Sequence, residues 1–419
     1  MWVLLALVGG AVLVLVVANL TTSEKKIEQE IEHLYSVGDP QFARSLGTLL
    51  GPAILPANRV TALVNGNQIF PAILDAIRGA KRTITFETFI YWSGAIGRTF
   101  AQALIERARA GVKVHLLLDW VGTGKMDAEV IREMEQAGVE VVKYHPLRWY
   151  NLGRLNNRTH RKLLVVDGTV GFTGGVGIAD NWLGDGEDPD HWRDSHFRVE
   201  GPVVAQMQAT FMDNWIEETA GVLHGEAYFP PLSPAGTYPA QMFMSSASEA
   251  SESVRFMYLL SIASARKSVR IANAYFVPDD LAVATMVAAQ RRGVQVEIIV
   301  PGRHIDAKVL RRASRSLWEP LLEAGVAIYE YQPTMFHTKV MVVDNILTSV
   351  GSTNFDNRSF RLNDEANLNV LDPEFAAGQA RQFEEDKQRS KQLTLDQWRS
   401  RPWHQRALEW LAGLVRLQL

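Results

Sequence analysis

The stretches THRKLLVVD, from Thr159 to Asp167, and FHTKVMVVD, from Phe336 to Asp344, decide the reading of this chain. Each runs His, one residue, Lys, four residues, Asp: His160, Lys162 and Asp167 in the first, His337, Lys339 and Asp344 in the second. On an extended backbone, residues two apart project to the same side, so each His points with its Lys. The runs LLVV and VMVV that follow have the unbroken apolar character of a strand buried on both faces. The polar pair then belongs at the strand's exposed end or in a lined cleft. One such pair is most often an ordinary surface strand, whereas two copies with identical spacing mark a duplicated functional element.

Working outward, the repetition extends over most of the chain. AKRTITFETFIYW from Ala80 matches ARKSVRIANAYF from Ala265, GVKVHLLLD from Gly111 matches GVQVEIIV from Gly293, and AGVEVVKYHP from Ala137 matches AGVAIYEYQP from Ala324. The order strand, helix, strand, helix, strand, strand in each copy predicts an α/β fold of two pseudo-symmetric layered α/β/α halves sharing one active site. Pro230, Pro231, Pro234, Gly236 and Pro239 mark a linker over 228–240, so the halves are expected at 57–227 and 241–372. Residues 21–56 read as a helical spacer, 373–419 as a C-terminal amphipathic helical tail, and Gly184–Pro189 as a surface loop over the site.

The composition, 47% hydrophobic and 21% charged over 419 residues, is that of an ordinary globular protein. A net charge of -3 gives no global reason to expect a nucleic-acid partner, and the absence of cysteine excludes disulfides, thiolate metal sites and cysteine nucleophiles. Trp2 to Ala18 is unbroken in apolar residues and glycine. At about 1.5 Å per residue a helix of that length just crosses a hydrocarbon core of about 30 Å. Residues 1–20 are therefore expected as a transmembrane anchor; the competing reading is a cleaved signal peptide, against which no Lys or Arg precedes the run. Lys25 and Lys26 follow it, which favours a single-pass protein of the inner or plasma membrane with its catalytic part in the cytoplasm. In the tail, Trp403, Leu408, Trp410, Leu411, Leu414, Val415 and Leu417 recur at near-helical spacing among Arg401, Arg406 and Arg416. That pattern suits a lipid interface, or equally a helix docked on the protein's own core.

Two imidazoles and two ammonium groups gathered in one cleft suit a phosphate diester. One neutral imidazole attacks phosphorus, the other, protonated, donates to the leaving oxygen, and the lysines offset charge on the non-bridging oxygens. No metal or other cofactor is then needed. Asp167 and Asp344, which complete the catalytic motif, fall at the far end of the strand, where an acid satisfies backbone donors of a turn.

These paired motifs, with Gly174 and Gly175 after the first and Gly351, Ser352 and Asn354 after the second, resemble the signatures of the phospholipase D superfamily. WRDSHFRVEGPVV from Trp192 and NFDNRSFRLNDEANL from Asn354 are similar to stretches of bacterial cardiolipin synthases. The resemblance implies His160 as nucleophile and His337 as general acid and base, an assignment that the near-symmetric motifs do not make by themselves. It also implies Asp194 and Glu365 as the acids that orient the imidazoles. The implied reaction joins two phosphatidylglycerol molecules into cardiolipin through a phosphohistidine and releases glycerol. The alternatives are hydrolysis of phospholipid, or less readily of nucleic acid, by the same intermediate, and an inactive lipid-binding scaffold, against which all four His and Lys are intact. The implied partners are these phospholipids and the membrane, without nucleic acid; the oligomeric state is unknown from sequence.

One departure concerns Gly177, which stands where the family's first motif often has Asn. An amide donor to the phosphate is lost there. Trp149, Tyr150, Arg154 and Arg158 lie in an insertion that serves either as a lip for lipid headgroups or as a packed long loop. Arg311, Arg312 and Arg315 share one helix face, and His191 beside Asp188 and Asp190 reads as a solvated cluster.

Overall fold

The structure, a computed structural model, describes residues 27–147, 156–246 and 252–414, together with residues 2, 9, 10 and 14. The first half supplies β1 (Leu55–Val64), β2 (Thr83–Thr88), β3 (Lys113–Asp119), β4 (Val139–Tyr144), β5 (Arg158–Thr159), β6 (Leu163–Val166), β7 (Val170–Gly174) and β8 (Ser195–Glu200). The second supplies β9 (Tyr238–Ser245), β10 (Ser268–Asn273), β11 (Phe276–Val277), β12 (Gln295–Pro301), β13 (Ala327–Tyr331), β14 (Lys339–Val343), β15 (Leu347–Gly351), β16 (Phe355–Asp356), β17 (Asn363–Leu371) and β18 (Ser390–Leu393).

The main sheet has the order β18-β13-β12-β10-β14-β15-β17-β9-β1-β8-β7-β6-β2-β3-β4. With β18 set aside the order is a palindrome: β1 and β9, the first strands of the two copies, meet antiparallel at its centre. The duplicated sequence thus folds as a pseudo-twofold pair within one continuous sheet.

The apolar runs after each Lys are buried on both faces, as their composition requires. Leu164 and Val166 enter a cluster with Ile73, Phe100 and Leu104, whereas Leu163 and Val165 enter one with Met207 and Phe211. In the second copy Met341 and Val343 pack with Met257 and Met286, while Val340 and Val342 join the same cluster as Leu163. That cluster runs through both halves, so the strands bearing the motifs share one core. Truncating a side chain there leaves a cavity between layers, which costs roughly 2–5 kcal/mol for a buried Leu, Ile or Met.

Three boundaries differ from the sequence reading. The expected helical spacer is helical only over Pro40–Leu49, where Asp39 caps the first turn and Pro40 fixes its start; residues 27–39 carry no helix and β1 already begins at Leu55. The expected linker ends early, because β9 begins at Tyr238. Pro239 is tolerated there since the β1–β9 register slips between Leu55 and Asn58, a place where a missing N–H is harmless. The expected tail is not a separate amphipathic element throughout. The helix Pro373–Gln388 buries Phe375, Ala376, Ala380 and Phe383 against the sheet, and β18 pairs antiparallel with β13. Only the last helix, Trp403–Gly413, keeps an exposed apolar face.

The expected transmembrane anchor lies almost wholly outside the described residues. Among the described residues no helix is long and apolar enough to cross a membrane.

Candidate active site

The two motifs meet because each is stitched to the other half's backbone. The segment β5, just ahead of His160, pairs in parallel with β17, and the His160 N–H donates to the Asp364 carbonyl at 2.9 Å. Arg193 bridges Phe336 in the same manner, and the His337 N–H donates to the Arg193 carbonyl at 2.8 Å.

The residue that follows each of those carbonyls is an acid, and it holds the other half's imidazole. His160 Nδ1 lies 2.9 Å from Glu365 Oε1, and His337 Nδ1 lies 2.7 Å from Asp194 Oδ2. A carboxylate at Nδ1 fixes the tautomer with the proton on that nitrogen and leaves the Nε2 lone pair free. Both acids are themselves braced. Glu365 accepts from the Ser352 and Ser359 hydroxyls, and Asp194 accepts from Trp182 Nε1 at 2.9 Å and the Ser195 N–H at 2.8 Å. Asp194 and Glu365, expected from sequence as orienting acids, each contact a motif histidine, and the crosswise pairing is what sequence reasoning missed.

Lys162 Nζ and Lys339 Nζ each donate back to the carbonyl of their own motif's His at 2.8 Å, which leaves further N–H groups on each. Lys339 Nζ also lies 3.2 and 3.3 Å from the ring nitrogens of His337. Burial and the neighbouring Lys339 charge bring Lys162 down to about 7; burial brings Lys339 down to about 8. Burial likewise lowers His160 to about 4, against the pull of Glu365, so its imidazole is neutral at pH 7. His337 is lowered by burial and by Lys339. Burial pushes the Glu365 carboxyl up, but the His160 contact and Lys162 outweigh it, and the acid stays ionised. The site therefore combines neutral imidazoles with two lysines whose charged forms gain stabilisation when an anion enters.

Arg161 and Thr338, between His and Lys, point the other way. Arg161 is fully buried, with Nη2 on Asp213 Oδ2 at 2.9 Å and on the Ser245 carbonyl at 3.3 Å. Asp167 and Asp344, grouped with the catalytic motifs but read from sequence as acids for backbone donors, make such contacts. Asp167 accepts the N–H groups of Lys81, Arg82 and Thr83, and Asp344 those of Arg266, Lys267 and Ser268. Each acid thereby ties the far end of its motif strand to the turn before the neighbouring strand, a more distant partner than the following turn.

Gly174 and Gly175 are required by close approach. A Cβ on Gly175 would fall 2.1 Å from Asp194 Oδ1, and one on Gly174 would fall 2.6 Å from the Ser195 carbonyl, at a φ of +155°. Gly177 has its own reason: a Cβ there meets Ile90 Cβ at 2.9 Å and Trp182 at 3.3 Å, so the larger Asn of the family pattern does not fit. Asn354 lines a cavity of about 240 Å³ next to His160, its Oδ1 buried without a hydrogen-bond partner. Sequence reasoning gave no sign of Ser359, nor of the aromatic walls: Phe89 stands edge-on to His160 at 5.2 Å, and Trp182 and Trp192 each lie 5.3 Å from His337. Their only sequence signal is proximity to Asp194 or to the end of β2.

Among the described residues there is no group of three or more His, Cys, Asp or Glu placed to hold a metal ion. His191 pairs with Asp188 at 2.7 Å on the surface. Arg315, expected on a helix face with Arg311 and Arg312, is buried and paired with Glu330 and Glu409, and Arg311 shares Glu330. Trp149, Tyr150 and Arg154 lie outside the described residues. Arg158 does not form an outer lip but is buried beside His160.

A family model described as "Cardiolipin synthase, PLD-like domain" matches residues 73–215 and 258–387. The chain is 35% identical over 350 residues to cardiolipin synthase 2 of Bacillus anthracis, an alignment covering 83% of this chain and 68% of that protein. It is also 35% identical over 351 residues to cardiolipin synthase A of Pseudomonas fluorescens, covering 82% and 72% of the two. In three dimensions it resembles the phosphatidylserine synthase of Haemophilus influenzae, with a TM-score of 0.70 over 90% of this chain and 99% of that one. At 16% identity that likeness speaks to the fold alone.

Proposed function

Since the chain belongs to the phospholipase D-like cardiolipin synthase family, we propose that it transfers a phosphatidyl group from one phosphatidylglycerol to another, yielding cardiolipin and glycerol. The observation that carries this reading is the crosswise clamp, His160 to Glu365 and His337 to Asp194, which leaves two imidazole Nε2 atoms and two lysines for one phosphodiester.

In the first step His160 Nε2 attacks phosphorus, the P–O bond to the terminal glycerol breaks, and His337, which takes up a proton on Nε2 as the anionic diester binds, gives that proton to the departing oxygen. In the second, His337 takes the proton from a hydroxyl of another phosphatidylglycerol, that oxygen attacks phosphorus, and the P–N bond to His160 breaks. Lys162 and Lys339 stabilise the charge on the non-bridging oxygens in both. The bond broken and the bond formed are alike, so the reaction runs near equilibrium and added glycerol drives it backwards.

A membrane location rests on two features. Residues 2–18 have the length and apolarity of a single span. The helix Trp403–Gly413 docks through its charged side, Glu409 on Arg315 and Arg401, and leaves Trp403, Leu408, Trp410 and Leu411 exposed, an arrangement suited to an interface. The basic residues Lys25 and Lys26 favour a cytoplasmic catalytic part.

Purified protein in phosphatidylglycerol vesicles tests the reading by its products. Cardiolipin and glycerol in equal amounts support it; phosphatidic acid as the main product, with no cardiolipin at any glycerol level, makes the protein a hydrolase.

A further inference from the structure

The cavity beside His160 contains two arginines that the transfer chemistry above leaves unused. Arg158 precedes His160 by two residues in an extended segment, so both side chains project to the same side, and both line the cavity. Arg158 is 3% exposed, and only its Nη2 is hydrogen-bonded, to the His145 carbonyl at 3.3 Å. Its Nε and Nη1 have no hydrogen-bond partner, and the nearest acid, Asp119, stands 3.8 Å from Nη1. Burial raises Asp119 to about 6, so it stays largely ionised at pH 7, but it stands beyond hydrogen-bond distance of Arg158.

Arg358 enters the same cavity from the helix Asn357–Arg361. Its two terminal nitrogens donate to neutral acceptors, the side-chain and backbone oxygens of Asn156, each at 2.9 Å. Its pKa is lowered by burial and further by the charge of Arg158. Asp356 on the same wall is raised to about 7 by burial, so it offers only part of a charge at neutral pH. A buried and a half-buried guanidinium beside each other, with donors to spare, are relieved by an anion that takes their N–H groups. Arginine's planar fork fits a phosphate in particular. The buried oxygens of Asn354 and Asn363, both without donors, complete the wall with acceptors for hydroxyl hydrogens.

We propose that Arg158 and Arg358 form a second phosphate seat, which holds the phosphodiester of the acceptor lipid while its glycerol hydroxyl reaches the phosphohistidine. This rests on the transferase reading. The donor's phosphate takes the two histidines and two lysines, and a lipid acceptor brings a second phosphate one glycerol away, whereas water or a neutral alcohol brings none.

The test compares two reactions that share a donor. Full-length protein in phosphatidylglycerol vesicles with radiolabelled glycerol makes cardiolipin, using the anionic lipid as acceptor, and also exchanges the glycerol headgroup, using neutral glycerol. In Arg158→Gln and Arg358→Gln the ratio of cardiolipin to exchanged headgroup should fall at least tenfold, with a higher KM for phosphatidylglycerol as acceptor; Arg358→Lys should recover part of it. Should Arg158→Gln fail to fold, Arg358→Gln reads the same ratio. An unchanged ratio, with both reactions falling together, would overturn the seat and make the arginines donor-binding or structural. Exchange without any cardiolipin in the parent protein would instead overturn the transferase reading, and the assignment of an acceptor with it.

Discussion

Nδ1 of His160 lies 2.9 Å from Oε1 of Glu365, a residue 205 positions away in the opposite half of the molecule. Neither motif histidine is paired with an acid of its own half. Each motif histidine is held by an acid of the half to which it does not belong.

That dependence gives the first prediction. Glu365→Gln removes the charge that holds the His160 proton on Nδ1, and Asp194→Asn does the same to His337. Each should lower the initial rate of cardiolipin formation by roughly 10²- to 10⁴-fold, the range for losing an oriented acid–base partner. Retention of activity within a few-fold in Glu365→Gln would mean that His160 does not rely on that contact.

The lysines set the pH dependence. In the free protein Lys162 sits near 7 and Lys339 near 8. A bound phosphodiester favours their protonated forms, so it raises both pKa values; binding strength is full below pH 7 and is lost as pH rises through 7 to 8. We expect kcat/KM to decline above about pH 7 while kcat, which reports the loaded site, holds to higher pH. A kcat/KM that keeps rising from pH 7 to 9 would contradict the assignment.

Gly175 offers a steric test. Alanine there places a methyl carbon 2.1 Å from Asp194 Oδ1, and the acid must move off His337. Gly175→Ala should lose activity and roughly 1–3 kcal/mol of stability, as overpacked sites do. Gly79→Ala, at a helix end with open space around the new atom, is the control, and its melting temperature should not fall. Equal behaviour of the two variants would show that the Asp194 contact tolerates displacement.

Chelation addresses the electrostatics. With Lys162 and Lys339 filling the role that a divalent ion fills in other phosphoryl enzymes, activity should survive exhaustive chelator treatment. Complete loss, restored by one particular divalent ion, would reveal a ligand set not recognised among these residues.

Much of this site was legible in the sequence because its signals are local. The His-x-Lys spacing fixes a common face, LLVV and VMVV announce strands buried on both sides, and the repeated order announces the duplicated fold. The crosswise pairing was not legible, since Asp194 and Glu365 stand in equivalent places of two similar halves and a pattern of faces does not tell which acid crosses the dyad. Whether Arg158 belonged to a lip or to a packed loop was left open by the sequence for a related reason. Its burial follows from β5 pairing with β17, a contact between distant segments. The role of the helix Pro373–Gln388 was not legible either, because Phe375, Ala376, Ala380 and Phe383 form one side of an amphipathic helix whether the partner is lipid or, as found, the sheet.

The central claim is a covalent intermediate on one particular histidine. Phosphatidylglycerol labelled at phosphorus, mixed briefly with the protein and quenched without acid, should leave label on the peptide carrying His160, and none in His160→Ala. Label on the peptide carrying His337, or cardiolipin formed at full rate with no protein-bound phosphorus at any time, would contradict it.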